Sequence, residues 1–383
     1  MSDPYDYAAL SLPSATRDAI GAFWAEFAAQ EAGLDALFTT GSRETDPVAV
    51  MAALHDVSPE LMWEFGKAET GHKVVITAEW NDDNRALARA VVQSAPQLRY
   101  FTPEDVRTPN PPEAIAELFA ARTRAALDIT TVTPSVSATG RMDIHFTGAA
   151  SDQVLFEQGL TFASLALGET AERDWLGQVT TEKVKADGFF RRAKLPPLDI
   201  AAAVEACHAA IEAAKANRPG RPYGNEPPEA RQQLLFNIGG QSGESHPRAD
   251  LITYVASNEA FAQNLLQAER FSSVCHSAHG EWFVGLRIPN EADGPMDVSL
   301  RSTLEDRLHD ALSQAGLGGF AAAGSGAEFT YIDLALTDVT RGLACAADAL
   351  RGADGAEDAI VQFLDPGLAT QDMPLSKAAV TLH

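Results

Sequence analysis

From residue 281 onward the apolar residues recur with a period that switches between two and 3.6, and this order leaves few folds open. "EWFVGLRI" alternates as a strand does, and "SLRSTLEDRLHDALSQAG" carries leucines at helical spacing. "GGFAAAG" and "EFTYIDLAL" are again strand-like, "DVTRGLACAADALRG" is helical, and "AIVQFLD" closes the series as a strand. The predicted order is β-α-β-β-α-β over 281–365. A sheet of that kind rests one face on its two helices, because successive strand side chains point to opposite faces.

The alternation sorts the residues of that sheet. Trp282, Val284, Leu286 and Ile288, with Ile332, Leu334 and Leu336, form the aliphatic set that should meet the helices. Phe283, Arg287, Phe329, Tyr331 and Asp333 fall on the opposite face, which is a candidate interaction surface unless segment 230–280 covers it. On this reading Leu334→Ala should cost about 2–5 kcal/mol, and Asp333→Ala far less.

Between the first helix and the next strands runs "GLGGFAAAGSG", and Gly316-Leu317-Gly318-Gly319-Phe320-Ala321 satisfies the dinucleotide fingerprint as a string. That fingerprint must follow a strand and open a helix, so that helix N-terminal amides face the pyrophosphate. Here it follows a helix and opens a strand. The glycines are expected to stop the helix and turn a hairpin, and no cofactor is expected. The β-α-β-β-α-β order is that of ferredoxin-like units, and the segment resembles small bacterial modules with a glycine-rich link before a "YIDL" strand.

The first half reads differently. "SATRDAIGAFWAEFAAQEAGLDALF" places Ile20, Phe23, Trp24, Phe27, Leu34, Leu37 and Phe38 near one helical stripe, with Ser14 as a candidate N-cap and Gly41 as the stop. A hairpin ("LMWEFG", "HKVVITAEW"), a helix over 81–96, the strand "LRYF", a helix over 112–126, a second hairpin over 129–147, a helix and the strand "WLGQVTTEKV" follow. This is a mixed, mostly antiparallel sheet with helices, so α+β. "FWAEF", "LMWEFGKAETGHKVVITAEW", "VVQSAPQL" and the later "LGE" resemble a family of uncharacterised bacterial proteins over residues 15–185. The resemblance implies a shared fold and no activity.

The expected organisation is therefore an α+β domain over 1–195, a helix and linker over 196–229, a second α+β domain over 230–370 holding the ferredoxin-like unit, and a tail over 371–383. The linker expectation rests on "NRPGRPYGNEPPEA", which has proline, glycine and charge without apolar period.

Few residues carry a chemical pattern. Cys275, His276 and His279 are the one compact set of metal-capable side chains, but three ligands within five residues and no second cluster do not make a structural zinc site. "GGQSGES" over 239–245 lacks the Lys and Ser/Thr of a phosphate loop. Glu64, Glu79 and Asp82 are acidic candidates for a cleft, with Glu64 and Glu79 on the strand faces away from the core. The formal net charge is −24, and each half of the chain carries −12. Such a surface repels phosphate backbones and anionic lipid, which argues against nucleic-acid and membrane partners. Three scattered cysteines and an N-terminus without a basic and apolar leader are expected of a cytoplasmic protein. The functional expectation is a non-catalytic protein that binds another protein or itself. The rival is a hydrolase or small-ligand-binding enzyme with an expected interdomain cleft site using these acidic residues.

Overall fold

In the computed structural model, residues 12–184, 196–225, 234–239, 248–268, 270–290, 294–353, 356, 358–366, 368 and 372–381 are described. The second glycine cluster, over 240–245, and part of the expected linker lie outside them. The fold is α+β. Its residues gather into two compact units, Met1–Pro109 with Gly168–Thr170, and Asn110–Leu167 with Ala171–His383.

In the first unit, helix α1 (Ser14–Thr40) buries Ile20, Phe23, Trp24, Phe27 and Leu34, the stripe read from the sequence. Pro13, rather than Ser14, occupies the N-cap, and Gly41 ends the helix at φ 74. Short helices α2 (Pro47–Met51) and α3 (Leu54–Val57) follow, and the Asp46 side chain caps α2 by accepting from the Val48 amide. Strands β1 (Met62–Lys67) and β2 (His72–Thr77) form an antiparallel hairpin. Helix α4 (Arg85–Gln93) then returns the chain so that β3 (Phe101–Glu104) lies parallel to β2. The core joins Trp24 and Phe27 of α1 to Val74, Ile76 and Phe101, and the Trp24 indole donates to the Val91 carbonyl at 2.7 Å.

The second unit repeats that order. After α5 (Pro112–Thr123), β4 (Ile129–Val136) and β5 (Met142–Gly148) make an antiparallel hairpin. Helix α6 (Asp152–Trp175), interrupted at Gly168, leads to β6 (Leu176–Lys183), parallel to β5. The strands expected in one mixed sheet thus form two sheets of three, because each helix returns its strand onto its own hairpin. Helix α7 (Ile200–Ala216), the helix expected ahead of the linker, buries Val204, Cys207 and Ile211 in the core around β5.

The remaining strands form one antiparallel sheet of seven. In chain order its elements are β7 (Leu234–Asn237), β8 (Leu251–Ala256), α8 (Glu259–Leu266), β9 (Trp282–Pro289), α9 (Val298–Ala315), β10 (Gly318–Gly326), β11 (Phe329–Leu336), α10 (Val339–Leu350), β12 (Ile360–Phe363), β13 (Met373–Pro374) and α11 (Leu375–Thr381). The strand order is β13-β12-β9-β11-β10-β8-β7. Its central four strands are the ferredoxin-like unit predicted from 281 onward, and β13 and β8-β7 widen the sheet on either side. Val284, Leu286, Ile332, Leu334 and Leu336 pack on Leu304 and Leu308 of α9 and Leu343 of α10. No helix is long and apolar enough to cross a membrane among the described residues.

Candidate functional site

The outer face of the β1–β2 hairpin carries a charge cluster. Glu64 stands opposite Val75 in register, so both point away from the α1 side. Val75 and Thr77 are fully buried, so the face is covered rather than solvated as its alternation suggested. The loop after β3 reaches this face. Arg107 Nε donates to Glu64 Oε2 at 3.0 Å and Nη2 donates to Glu79 Oε1 at 2.6 Å. Two of the three acidic candidates therefore converge, and Asp82 pairs with Arg85 at 3.3 Å.

Two further residues complete the cluster. Glu169 is 7 % exposed. It accepts from the Arg107 amide at 3.2 Å and from the Thr77 hydroxyl at 2.5 Å. The same hydroxyl accepts from the Glu79 amide at 2.9 Å, which holds Glu79 at a φ of 49. Burial alone would lower the Arg107 pKa, but the charge of Glu64 and the hydrogen bonds to both glutamates outweigh it, and the net shift is upward. Glu64 and Glu79 thus both accept from one guanidinium. Gly168 was the available signal for Glu169. At φ 71 its backbone passes so close to the loop that an added Cβ would stand 2.6 Å from the Pro109 nitrogen. Only a glycine there lets the next residue reach Arg107.

The open end of the same hairpin is apolar at its tip. Trp80, three residues past β2, is 57 % exposed, and Met62 at the start of β1 is 46 % exposed. Met62 pairs with Thr77 in register, so both side chains belong to one end of the hairpin. Asn81 and Asn84 both donate to Glu60, tying the two sides of that end together.

In the second unit, the sheet face offered by sequence as an interaction surface is covered from within. Phe283, Tyr331 and Asp333 are buried, under Tyr223, Tyr254, Phe261 and Phe271. Segment 230–280 supplies most of that cover, and the earlier assignment of these residues to an open surface is corrected accordingly. Arg287, half-buried, lies 4.8 Å over the Phe329 ring and pairs with Asp372 at 3.3 Å. Sequence reading missed the partner of Asp333. Arg248, 1 % exposed, sends Nη1 and Nη2 to the two Asp333 oxygens at 2.9 and 2.5 Å. Gly285 makes room for it, since a Cβ there would stand 2.5 Å from Arg248 Nη2. A glycine inside the strand "WFVGLRI" was the visible trace of that close approach.

Cys275, His276 and His279 do not converge on a common point. The Cys275 thiol donates to the Asp174 carbonyl at 2.8 Å, and burial pushes it up to about 12. His279 is exposed. His276 is fully buried against Phe261, Phe271 and Phe283, with Nε2 at 3.0 Å from Asn264 Oδ1. No group of three or more metal-capable side chains stands together among the described residues.

Burial, and then the charge of Arg141, lower the His276 imidazole to about 3. An unfolded chain protonates this ring near pH 6.5. The unfolded state therefore takes up a proton that the folded state refuses, and stability falls as pH drops from 6.5 toward 3. Between pH 7 and 5 the loss from this group should be about 2 kcal/mol. Urea melts of wild type and His276→Phe at the two pH values are expected to show a smaller pH-dependent loss in the variant. Equal losses would mean that His276 is not held neutral.

No protein-family model, curated protein or solved structure matches the chain.

Proposed function

We propose that this is a non-catalytic binding protein, and that the open end of the β1–β2 hairpin is where it docks another protein. The observation that carries this reading is Trp80, a tryptophan 57 % exposed three residues past β2, whose last residue, Thr77, pairs with the exposed Met62. A large aromatic that gains little from folding is the residue type that most often dominates a protein interface. Glu60, which accepts from Asn81 and Asn84, belongs to the same end of the hairpin, and the whole chain carries −24. The partner would present an apolar side chain among lysines or arginines, since charge complementarity guides encounter. The commitment of Glu64 and Glu79 to Arg107 supports a binding role over hydrolysis.

The test is affinity capture from native-host lysate with wild type, Trp80→Ala and Met62→Ala, beside sedimentation velocity of each. A protein or second copy held by wild type and weakened at least tenfold by Trp80→Ala, with unchanged melting temperature, is expected. Equal retention by wild type and Trp80→Ala would sink the proposal. So would turnover of a hydrolysable substrate that is abolished by Glu64→Gln.

A further inference from the structure

The second unit holds an open cleft of about 580 Å³ where the β4–β5 turn, the chain after α7 and the start of α8 meet. That volume lies within the range of small-ligand sites. Its base is rigid. The Tyr223 amide donates to Glu281 at 2.8 Å, its hydroxyl accepts from Asn258 Nδ2 at 3.2 Å, and its ring sits edge-on to Phe283. Asn258 Oδ1 in turn accepts from the Phe261 amide at 3.2 Å, capping α8. On the opposite wall Gly140 adopts φ 77, and a Cβ there would come 3.3 Å from the Ala260 methyl.

Tyr223 and Asn258 are thus spoken for, and so is Ser137, whose hydroxyl bonds Thr139 at 2.8 Å and accepts from the Arg141 amide at 3.1 Å. Arg221, Asn217, Ser257 and Glu259 line it, and none of these side chains has a protein partner among the described residues. This contrasts with Arg107, Arg248 and Arg287, each of which is held by a carboxylate. The free groups are of two kinds. Arg221, Asn217 and the first two amides of α8, which lie before the first intrahelical bond, can donate to a carboxylate. Glu259 can accept from an ammonium group.

We propose that this cleft binds a small zwitterion, a free amino acid or short peptide, with its carboxylate toward Arg221 and its ammonium group toward Glu259. One cation and one anion in a single cleft give no net attraction for a simple anion or a simple cation. A ligand that carries both charges satisfies both walls.

The full chain should be titrated by calorimetry with alanyl-alanine, its N-acetyl form, its C-terminal amide, a mixture of free amino acids, and inorganic phosphate. Saturable binding of alanyl-alanine or a free amino acid is expected, weakened at least tenfold by either blocking group. Arg221→Ala should abolish the discrimination against the amide, and Glu259→Gln the discrimination against the acetylated form. Both residues are exposed, so both variants should keep the wild-type melting temperature. Binding that is indifferent to the blocking groups, binding unchanged in both variants, binding of phosphate alone, or no saturable binding of any probe would each overturn the proposal.

Discussion

Asp333→Ala is expected to lower the unfolding free energy by about 3–5 kcal/mol in urea melts, the range for breaking a buried ion pair from one side. Asp333 is fully buried and accepts from both Arg248 terminal nitrogens and from the Tyr254 hydroxyl at 2.5 Å. Removing the carboxylate takes the anion from a buried guanidinium that also donates to Gln362 and lies over the face of the Tyr331 ring. A buried cation without an anion costs far more than a lost hydrogen bond between neutral groups. The cost should match or exceed that of Leu334→Ala, about 2–5 kcal/mol for a leucine buried on the helix side. Replacing both partners separates the pair from the space it fills. Arg248→Met with Asp333→Leu should be much less destabilised than the sum of the single changes, because no unpaired charge remains. If Asp333→Ala falls within about 1 kcal/mol of wild type, the pair contributes nothing a water could not replace.

This expectation reverses the one drawn from alternation, and the reason is physical. Periodicity places Asp333 opposite Leu334 correctly, since the two do lie on different faces. What it cannot supply is what covers the second face. That cover comes from Tyr254 on β8 and from Arg248 just before it, some eighty residues earlier in the chain, and nothing local to "YIDL" announces it. The ferredoxin-like order was legible because each of its elements has its own period and its links are short. The seven-stranded width was not, because β7 and β13 are short and their pairing depends on distant partners. The same contrast divides the hairpin cluster. Glu64 and Glu79 could be assigned to the hairpin face away from the core by alternation, but not grouped with each other, since Glu64 stands opposite Val75 and Glu79 lies past the end of β2. Arg107 and Glu169 reach them from loops whose paths no alternation describes, although Gly168 and Gly285 were local traces of a backbone or guanidinium passing close.

Gly318→Ala is expected to destabilise the protein by about 3 kcal/mol or more, from backbone strain together with overpacking. Gly318 sits at φ 131, where an L side chain is strained, and a Cβ there would stand 1.9 Å from the Ala335 carbonyl oxygen on the paired strand. That neighbour is backbone of β11, paired on both sides with β10 and β9, so it cannot swing aside. The crowding continues on the other side of the strand. A Cβ on Gly224 would meet the Gly318 oxygen at 2.4 Å, and one on Gly319 would meet Gly224 Cα at 2.8 Å. Residues 223–225 therefore lie directly on the β10 backbone, and three glycines permit it. Gly316 is the matched control from the same run. It ends α9 at φ 66 with nothing within 4 Å of a built Cβ, so Gly316→Ala should cost only the left-handed backbone term, about 1–2 kcal/mol. Thermal and urea melts of the two variants separate the causes. Gly318→Ala well below Gly316→Ala in stability is the signature of a strand packed against a turn. The reverse order would mean that the run is only a helix stop. The string that satisfies a dinucleotide fingerprint thus follows a helix ending at Ala315 and opens a strand at Gly318. Gly318 and Gly319 are required by the backbones they touch and Gly316 by its left-handed φ, and the amides of a helix start, which a phosphate would need, are not there.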